Sequence, residues 1–325
     1  MSADTYVFEV TDRLRRVIEV VRGPESAAVW LDSLPSVVEE YAMRWNLTLT
    51  GIPDSGAMSC CVFARLPDGQ DVVLKIPFDQ TTGLQESALL DRWSRRGGAP
   101  RVHQVDNGTG VFLMSRVVPG TIVEPGSTED ATRAVVALMD RVHSADFGGL
   151  PTLPPVSQIA LMRIDWADER FETTGNSAGA ELARAARDLT DELIAVTSQN
   201  VLLHGDLQPK NILTSNTTGL QVIDPLACIG PAVTDAALWA AVQDSAISID
   251  ERITQLSQLG DFDRESLQSW ATVFAVAELR PYSMKYSARM VAYLKSGYSS
   301  PRLLPESGQP ITSLVDAALM VTNGI

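Results

Sequence analysis

The sequence predicts an α+β chain in two lobes, a mixed β-sheet N-lobe followed by a mostly helical C-lobe. Three observations predict it. Between Met58 and Val117, short apolar runs alternate with turn residues at strand spacing. Residues 128–144, 180–198 and nearly everything after Thr234 carry helical apolar spacing. The chain has 325 residues, 45% hydrophobic and 20% charged, which is enough to bury two cores.

The elements follow in order. Residues 9–22 (EVTDRLRRVIEVVR) set Val10, Leu14, Val17, Ile18 and Val21 on one helical face. Residues 25–34 and 36–45 read as two short helices separated by Pro35. Gly51–Gly56 is turn-rich. Met58–Leu66 and Asp71–Ile76 then form a strand pair across Pro67-Asp68-Gly69. A helix is expected over Gln85–Arg95, and a second strand pair over Arg101–Val105 and Gly110–Val117. Val118-Pro119-Gly120 breaks the pattern, so the lobes divide as 1–117 and 118–325. In the second lobe, 201–203 and 220–223 are short apolar strands on either side of a polar loop. The helical tail is interrupted near Gly260 and Pro281.

Composition narrows the function. A net charge of −14 argues against nucleic acid and anionic membrane as partners and suits a cationic small molecule. No basic-plus-apolar leader is read in residues 1–10, and no apolar run reaches membrane-spanning length, so a cytoplasmic protein is expected. Cys60 and Cys61 are adjacent, would face opposite sides of a strand, and with Cys228 show no ligand spacing. All three read as packing residues.

The chemistry lies in His204-Gly-Asp-Leu-Gln-Pro-Lys-Asn211 and in Asp224, eighteen residues after Asp206. The interval Asp-x-x-x-x-Asn is that of the protein-kinase catalytic loop. It makes Asp206 the acceptor of the attacking hydroxyl's proton, and Asn211 and Asp224 the magnesium ligands. His204 is expected to orient the loop, and Asp235 to cap a helix or brace the loop. Upstream, Lys75 on an apolar strand with Glu86 eleven residues later has the order of a phosphate-binding lysine and its fixing glutamate. The turn Asp54–Ser59 stands where a nucleotide-covering loop belongs, with Ser55, Gly56 and Ser59 as donors. Met114–Val117 stands where a hinge would meet adenine, with Ser115 and Val117 as candidates. Asp224 is followed by Pro225 and not by Phe-Gly, so the aromatic flip that switches protein kinases has no counterpart. On the acceptor side, Asp165, Asp168, Glu169, Glu172 and Glu278 are the candidates, with Tyr282 nearby in sequence. A solvated acidic face is the competing reading of the first four.

Several segments resemble the streptomycin 6-kinase and hydroxyurea phosphotransferase family of aminoglycoside phosphotransferase-like kinases. They are Trp30–Trp45, Val72-Val-Leu-Lys75-Ile-Pro, Gln85–Trp93, Leu203–Leu213 and Val222-Ile-Asp224-Pro. The resemblance runs from about residue 26 to 245. It implies a two-lobed protein-kinase-like fold, with ATP and Mg2+ as the cofactors. By position it carries the base role to Asp206, metal roles to Asn211 and Asp224, and the phosphate role to Lys75. Gln208 stands where the family often has histidine, and Lys210 where it has a small residue. Both border the expected acceptor site. The resulting expectation is an ATP-dependent O-phosphotransferase acting on a hydroxyl of an aminoglycoside or similar antibiotic. The alternatives are a kinase of a sugar, nucleoside or biosynthetic intermediate, and a catalytically silent nucleotide-binding protein.

Overall fold

Residues 6–53, 58–196, 199–242, 247–281 and 283–320 are described in the computed structural model, which divides after Gly120 into two units. The first is built on five strands, β1 (Thr48–Gly51), β2 (Ser59–Arg65), β3 (Asp71–Pro77), β4 (Val102–Val105) and β5 (Phe112–Ser115). They lie in the order β1-β2-β3-β5-β4, each antiparallel to its neighbours. The β2–β3 turn closes through Leu66 N–H to Gln70 O at 2.9 Å, and Gly69 takes φ +90° there, a conformation that glycine adopts without strain.

Strand alternation splits the sheet into two faces. Cys60, Val62, Ala64, Val72, Leu74, Ile76 and Leu113 are buried in one core with Ile18 of α1 (Asp12–Arg22) and Leu31, Leu34 and Val38 of α2 (Pro24–Arg44). The other parity, Cys61, Phe63, Val73, Lys75 and Phe112, therefore occupies the opposite face. There α3 (Gln80–Ser94) supplies Glu86. Helix α2 is continuous, where two helices broken at Pro35 were expected. Its buried positions Ala27, Leu31, Leu34, Val38 and Tyr41 run at helical spacing through the proline. Burial on both sides of Pro35 outweighs the loss of one backbone hydrogen bond. Helix α3 starts five residues before the expected Gln85, because Asp79 accepts from Thr82 N–H at 2.9 Å and caps it.

The second unit carries β6 (Pro119–Ile122), which spans the division, in a sheet ordered β6-β8-β9 with β8 (Ile212–Ser215) and β9 (Gly219–Val222). A separate antiparallel pair joins β7 (Val201–Leu203) to β10 (Cys228–Gly230). Eight helices complete the described part: α4 (Glu129–His143), α5 (Val156–Thr173), α6 (Ser177–Ala195), α7 (Val233–Val242), α8 (Ile249–Leu259), α9 (Arg264–Ala277), α10 (Met284–Lys295) and α11 (Ile311–Met320). Helices α7 and α9 form the centre, with Trp239, Trp270, Val273 and Phe274 buried. Asn176 caps α6 through Gly179 N–H at 2.9 Å, which sets its start at Ser177. Among the described residues, no helix is long and apolar enough to cross a membrane.

Candidate active site

The loop His204–Asn211 connects β7 to β8 and is held at several points by its own unit. Leu202 and Leu203 are fully buried, which anchors its entry. Gly205 has φ +74°, and a Cβ there would overlap the Leu226 carbonyl oxygen, so only glycine fits. The exit is fixed by Ile223 N–H to Asn211 O at 3.0 Å, and the entry again by Leu226 N–H to His204 O at 2.9 Å. Asp235 accepts from the backbone N–H of both His204 (2.8 Å) and Gly205 (2.9 Å), and its Oδ2 also meets His143 Nε2 at 2.9 Å. It braces the loop. His204 donates from Nε2 to Ile223 O at 2.9 Å and accepts the Asp206 N–H at Nδ1, 3.3 Å. Burial pushes its pKa down and keeps the ring neutral, as this donor-and-acceptor pattern requires.

Asp206 is 16% exposed at its side chain and is ringed by donors. Arg163 Nη2 bonds Oδ1 at 2.6 Å, Gln208 Nε2 bonds Oδ1, and Asn211 Nδ2 bonds Oδ2 at 2.8 Å. Lys210 Nζ, largely exposed, stands 3.2 Å from Oδ2. Burial alone would raise the Asp206 pKa. The charges of Arg163 and Lys210 and the Arg163 hydrogen bond outweigh it and hold the carboxyl at about 2. The result is a carboxylate that stays ionised at neutral pH, fixed in orientation, with surface left for a ligand.

Asn211 is buried and spends Nδ2 on the Asp206 backbone oxygen and carboxylate, both at 2.8 Å. That turns its Oδ1, a hard oxygen donor, to other use. Asp224 is exposed and has φ +53°, which is uncommon for a residue with a Cβ. Such strain concentrates at functional sites. An amide oxygen and a carboxylate suit a hard divalent cation.

In the first unit, Lys75 Nζ and Glu86 Oε1 are 2.6 Å apart, with both side chains almost completely buried. Ser59 opens β2, on the same parity as Cys61, which lies directly opposite Lys75. Ser115 pairs with Val72 and so belongs to the face away from Lys75. Its N–H is used by Arg101 O and its hydroxyl by His103 Nε2, both within 3 Å. The serine side chain thus bonds within the sheet and not on the Lys75 face. Val117 is buried just past β5. Ser55 and Gly56 lie outside the described residues, as does Tyr282.

The acidic candidates separate. Asp165, Asp168, Glu169 and Glu172 stand on α5 at roughly 140–240° from Arg163, taking about 100° per residue. Arg187 of α6 pairs with Asp165 and, at 3.1 Å, with Asp168. Glu169 and Glu172 are exposed. The helix turns this cluster away from the side chain that reaches Asp206. Glu278 is buried and bonds Arg163 Nη1 at 2.8 Å. Arg163 itself was missed by sequence reasoning. Its signal was an arginine inside the apolar stripe Ile159, Ala160, Ile164, Ala167 and Phe171, a position that demands buried carboxylate partners.

Residues 44–279 match the family model described as aminoglycoside/hydroxyurea antibiotic resistance kinase. Streptomycin 6-kinase of Streptomyces glaucescens is 26% identical over 76% of this chain and 82% of its own. Hydroxyurea phosphotransferase of Kitasatospora aureofaciens is 26% identical over 78% and 74%. The fold is the two-lobed kinase-like one of the choline kinase from Streptococcus pneumoniae, with a TM-score of 0.55 at 13% identity over 80% of this chain and 98% of that one. A complex of that kinase with AMP has also been solved. With the family model covering most of its length, the chain belongs to the aminoglycoside/hydroxyurea antibiotic resistance kinases, and it is a phosphotransferase acting on hydroxyl-bearing small molecules.

Proposed function

We propose that this kinase transfers the γ-phosphoryl group of ATP to a hydroxyl of a small-molecule antibiotic and so inactivates it. The observation that carries this reading is the Asp206 carboxylate, ionised and held by Arg163, Gln208 and Asn211 on a loop braced by Asp235. With its pKa held at about 2, Asp206 is a weak base and a good orienting acceptor. It takes the hydrogen bond of the acceptor hydroxyl and aims the oxygen lone pair at the γ-phosphorus. The new O–P bond forms as the bond from phosphorus to the β–γ bridging oxygen breaks. The hydroxyl proton passes to Asp206, and ADP leaves. This ordering of events gains from position and charge more than from base strength.

Lys75, fixed by Glu86, is assigned to the nucleotide phosphates. Asn211 Oδ1 and Asp224 would hold Mg2+, which supplies positive charge to the phosphates when bound. Gln208 contributes its bond to Asp206. Phosphorylation would add roughly two negative charges to the product and disturb its fit to an anionic target.

The test is a nucleotide-consumption screen with mass analysis of the acceptor, run with and without Mg2+. The panel covers streptomycin, other aminoglycosides, hydroxyurea, peptide antibiotics, nucleosides and sugars. The expected result is one antibiotic that gains a phosphoryl group and loses potency. Transfer to a sugar or nucleoside alone would replace the antibiotic by a metabolic acceptor, and absence of any turnover would favour a silent nucleotide-binding protein.

A further inference from the structure

Asp206 is oriented by an arginine that is itself oriented by another carboxylate. We infer that Arg163 and Glu278 form a positioning pair for Asp206, with Glu278 acting through Arg163 and not on the acceptor. This rests on the phosphotransfer reading given above.

The Arg163 guanidinium is 5% exposed, and its bonds to the described residues lie on the two Nη atoms. Nη2 reaches Asp206 Oδ1 at 2.6 Å and Gly205 O at 3.2 Å, while Nη1 reaches Glu278 Oε1 at 2.8 Å. Among the described residues, Nε is buried without a partner. Among the described residues, the planar fork has one anchor on the side away from the catalytic loop, and that anchor is Glu278.

Glu278 is pinned in turn. Its N–H bonds Phe274 O at 3.0 Å at the end of α9. The carbonyls on either side of it, Ala277 and Leu279, accept from Arg170 at 2.6 and 3.3 Å. Arg170 sits one heptad after Arg163, nearly on the same face of α5. One helix face thus fixes both the backbone around Glu278 and the guanidinium its carboxylate holds. The second oxygen, Oε2, lies 3.5 Å from the Tyr286 hydroxyl and 3.9 Å from Arg280 Nη2, and Arg280 stacks on the Tyr286 ring at 3.9 Å. The Glu278 carboxylate is engaged on both oxygens, which is the environment of a strut and not of an open cation site. Displacement of a reacting group by about 1 Å costs about 100-fold in rate, so an arginine that aims Asp206 has kinetic weight.

Glu278→Gln, Arg163→Met and the double variant test this, with kcat and both KM values measured on the folded proteins. Glu278→Gln is expected to lower kcat by about tenfold and Arg163→Met by about 100-fold, with both KM values kept. The double variant should match Arg163→Met within about twofold, because Glu278 has nothing left to act through. Arg163→Lys should not restore kcat, since an ammonium cannot fork between the two carboxylates. Three results would each overturn the proposal: a raised acceptor KM with kcat kept in Glu278→Gln, losses that multiply in the double variant, or a lower Tm with unchanged kcat. A second arm needs no turnover. The Arg163 Nη NMR signals, assigned by their loss in Arg163→Met, should be resolved by hindered rotation in the wild type and averaged in Glu278→Gln. Averaged signals in the wild type, or signals still resolved in Glu278→Gln, would sink the pair even if phosphotransfer were proven, and resolved wild-type signals that average in Glu278→Gln would uphold it even if the phosphotransfer reading failed.

Discussion

At Asp206, burial and charge pull in opposite directions, and charge wins. The carboxyl moves from 3.8 to about 2, which corresponds to about 2 kcal/mol. Because the folded-state value is depressed, this stabilisation is present above about pH 4 and is lost as pH falls through about 2. His204 behaves with the same sign in a different window. Burial pushes its pKa below 6.5, so the native state binds its proton less readily than the unfolded chain, and stability falls as pH drops below about 6.5. His103, also pushed down by burial, adds to this. The expected outcome is a Tm that declines from pH 7.5 to 5.5 and declines less in His204→Gln, which keeps a donor and an acceptor without titrating. A flat wild-type Tm over that range would contradict it. Asp224 gives a metal-linked prediction. Asp224→Ala should remove the Mg2+-dependent part of ATP affinity in calorimetric titrations with and without the ion, and survival of that part would assign the metal elsewhere.

The loop between β7 and β8 is the element that turns sequence into geometry. Gly205 is left-handed with a carbonyl where a Cβ would sit. Gly205→Ala is therefore expected to lower Tm by several degrees and to cut activity in the folded fraction, since strain there costs about 1–3 kcal/mol. An alanine variant with wild-type Tm and kcat would show that the loop has slack. This element was legible because its motif is contiguous: His204, Asp206 and Asn211 lie within eight residues. Lys75 was legible for a similar reason, as the one lysine of an apolar strand. What was not legible depends on tertiary partners. The continuity of α2 through Pro35 comes from burial on the sheet. The turn of the α5 carboxylates away from Arg163 comes from helical phase. Arg163 and Glu278 are over one hundred residues apart, and no local pattern announces the pair. Short strands such as β1, β6 and β10, of three or four residues, carry too little periodicity to be read.

Over the whole molecule, the net charge of −14 suggested a cationic acceptor drawn by exposed carboxylates. On α5, Asp165 and Asp168 pair with Arg187, while Glu169 and Glu172 are exposed, which supports the reading of a solvated face. Pairs of that kind contribute about 0–1 kcal/mol. Asp165→Asn, Asp168→Asn, Glu169→Gln and Glu172→Gln combined should leave the acceptor KM and its salt dependence unchanged. An acceptor KM raised several-fold would return the cluster to the substrate. The central claim is that Asp206 receives the acceptor's proton during phosphoryl transfer, and Asp206→Asn tests it most directly. With a confirmed acceptor, kcat should fall by about 10²–10⁴-fold while ATP affinity and the folded state are retained. Wild-type kcat in Asp206→Asn would contradict the account.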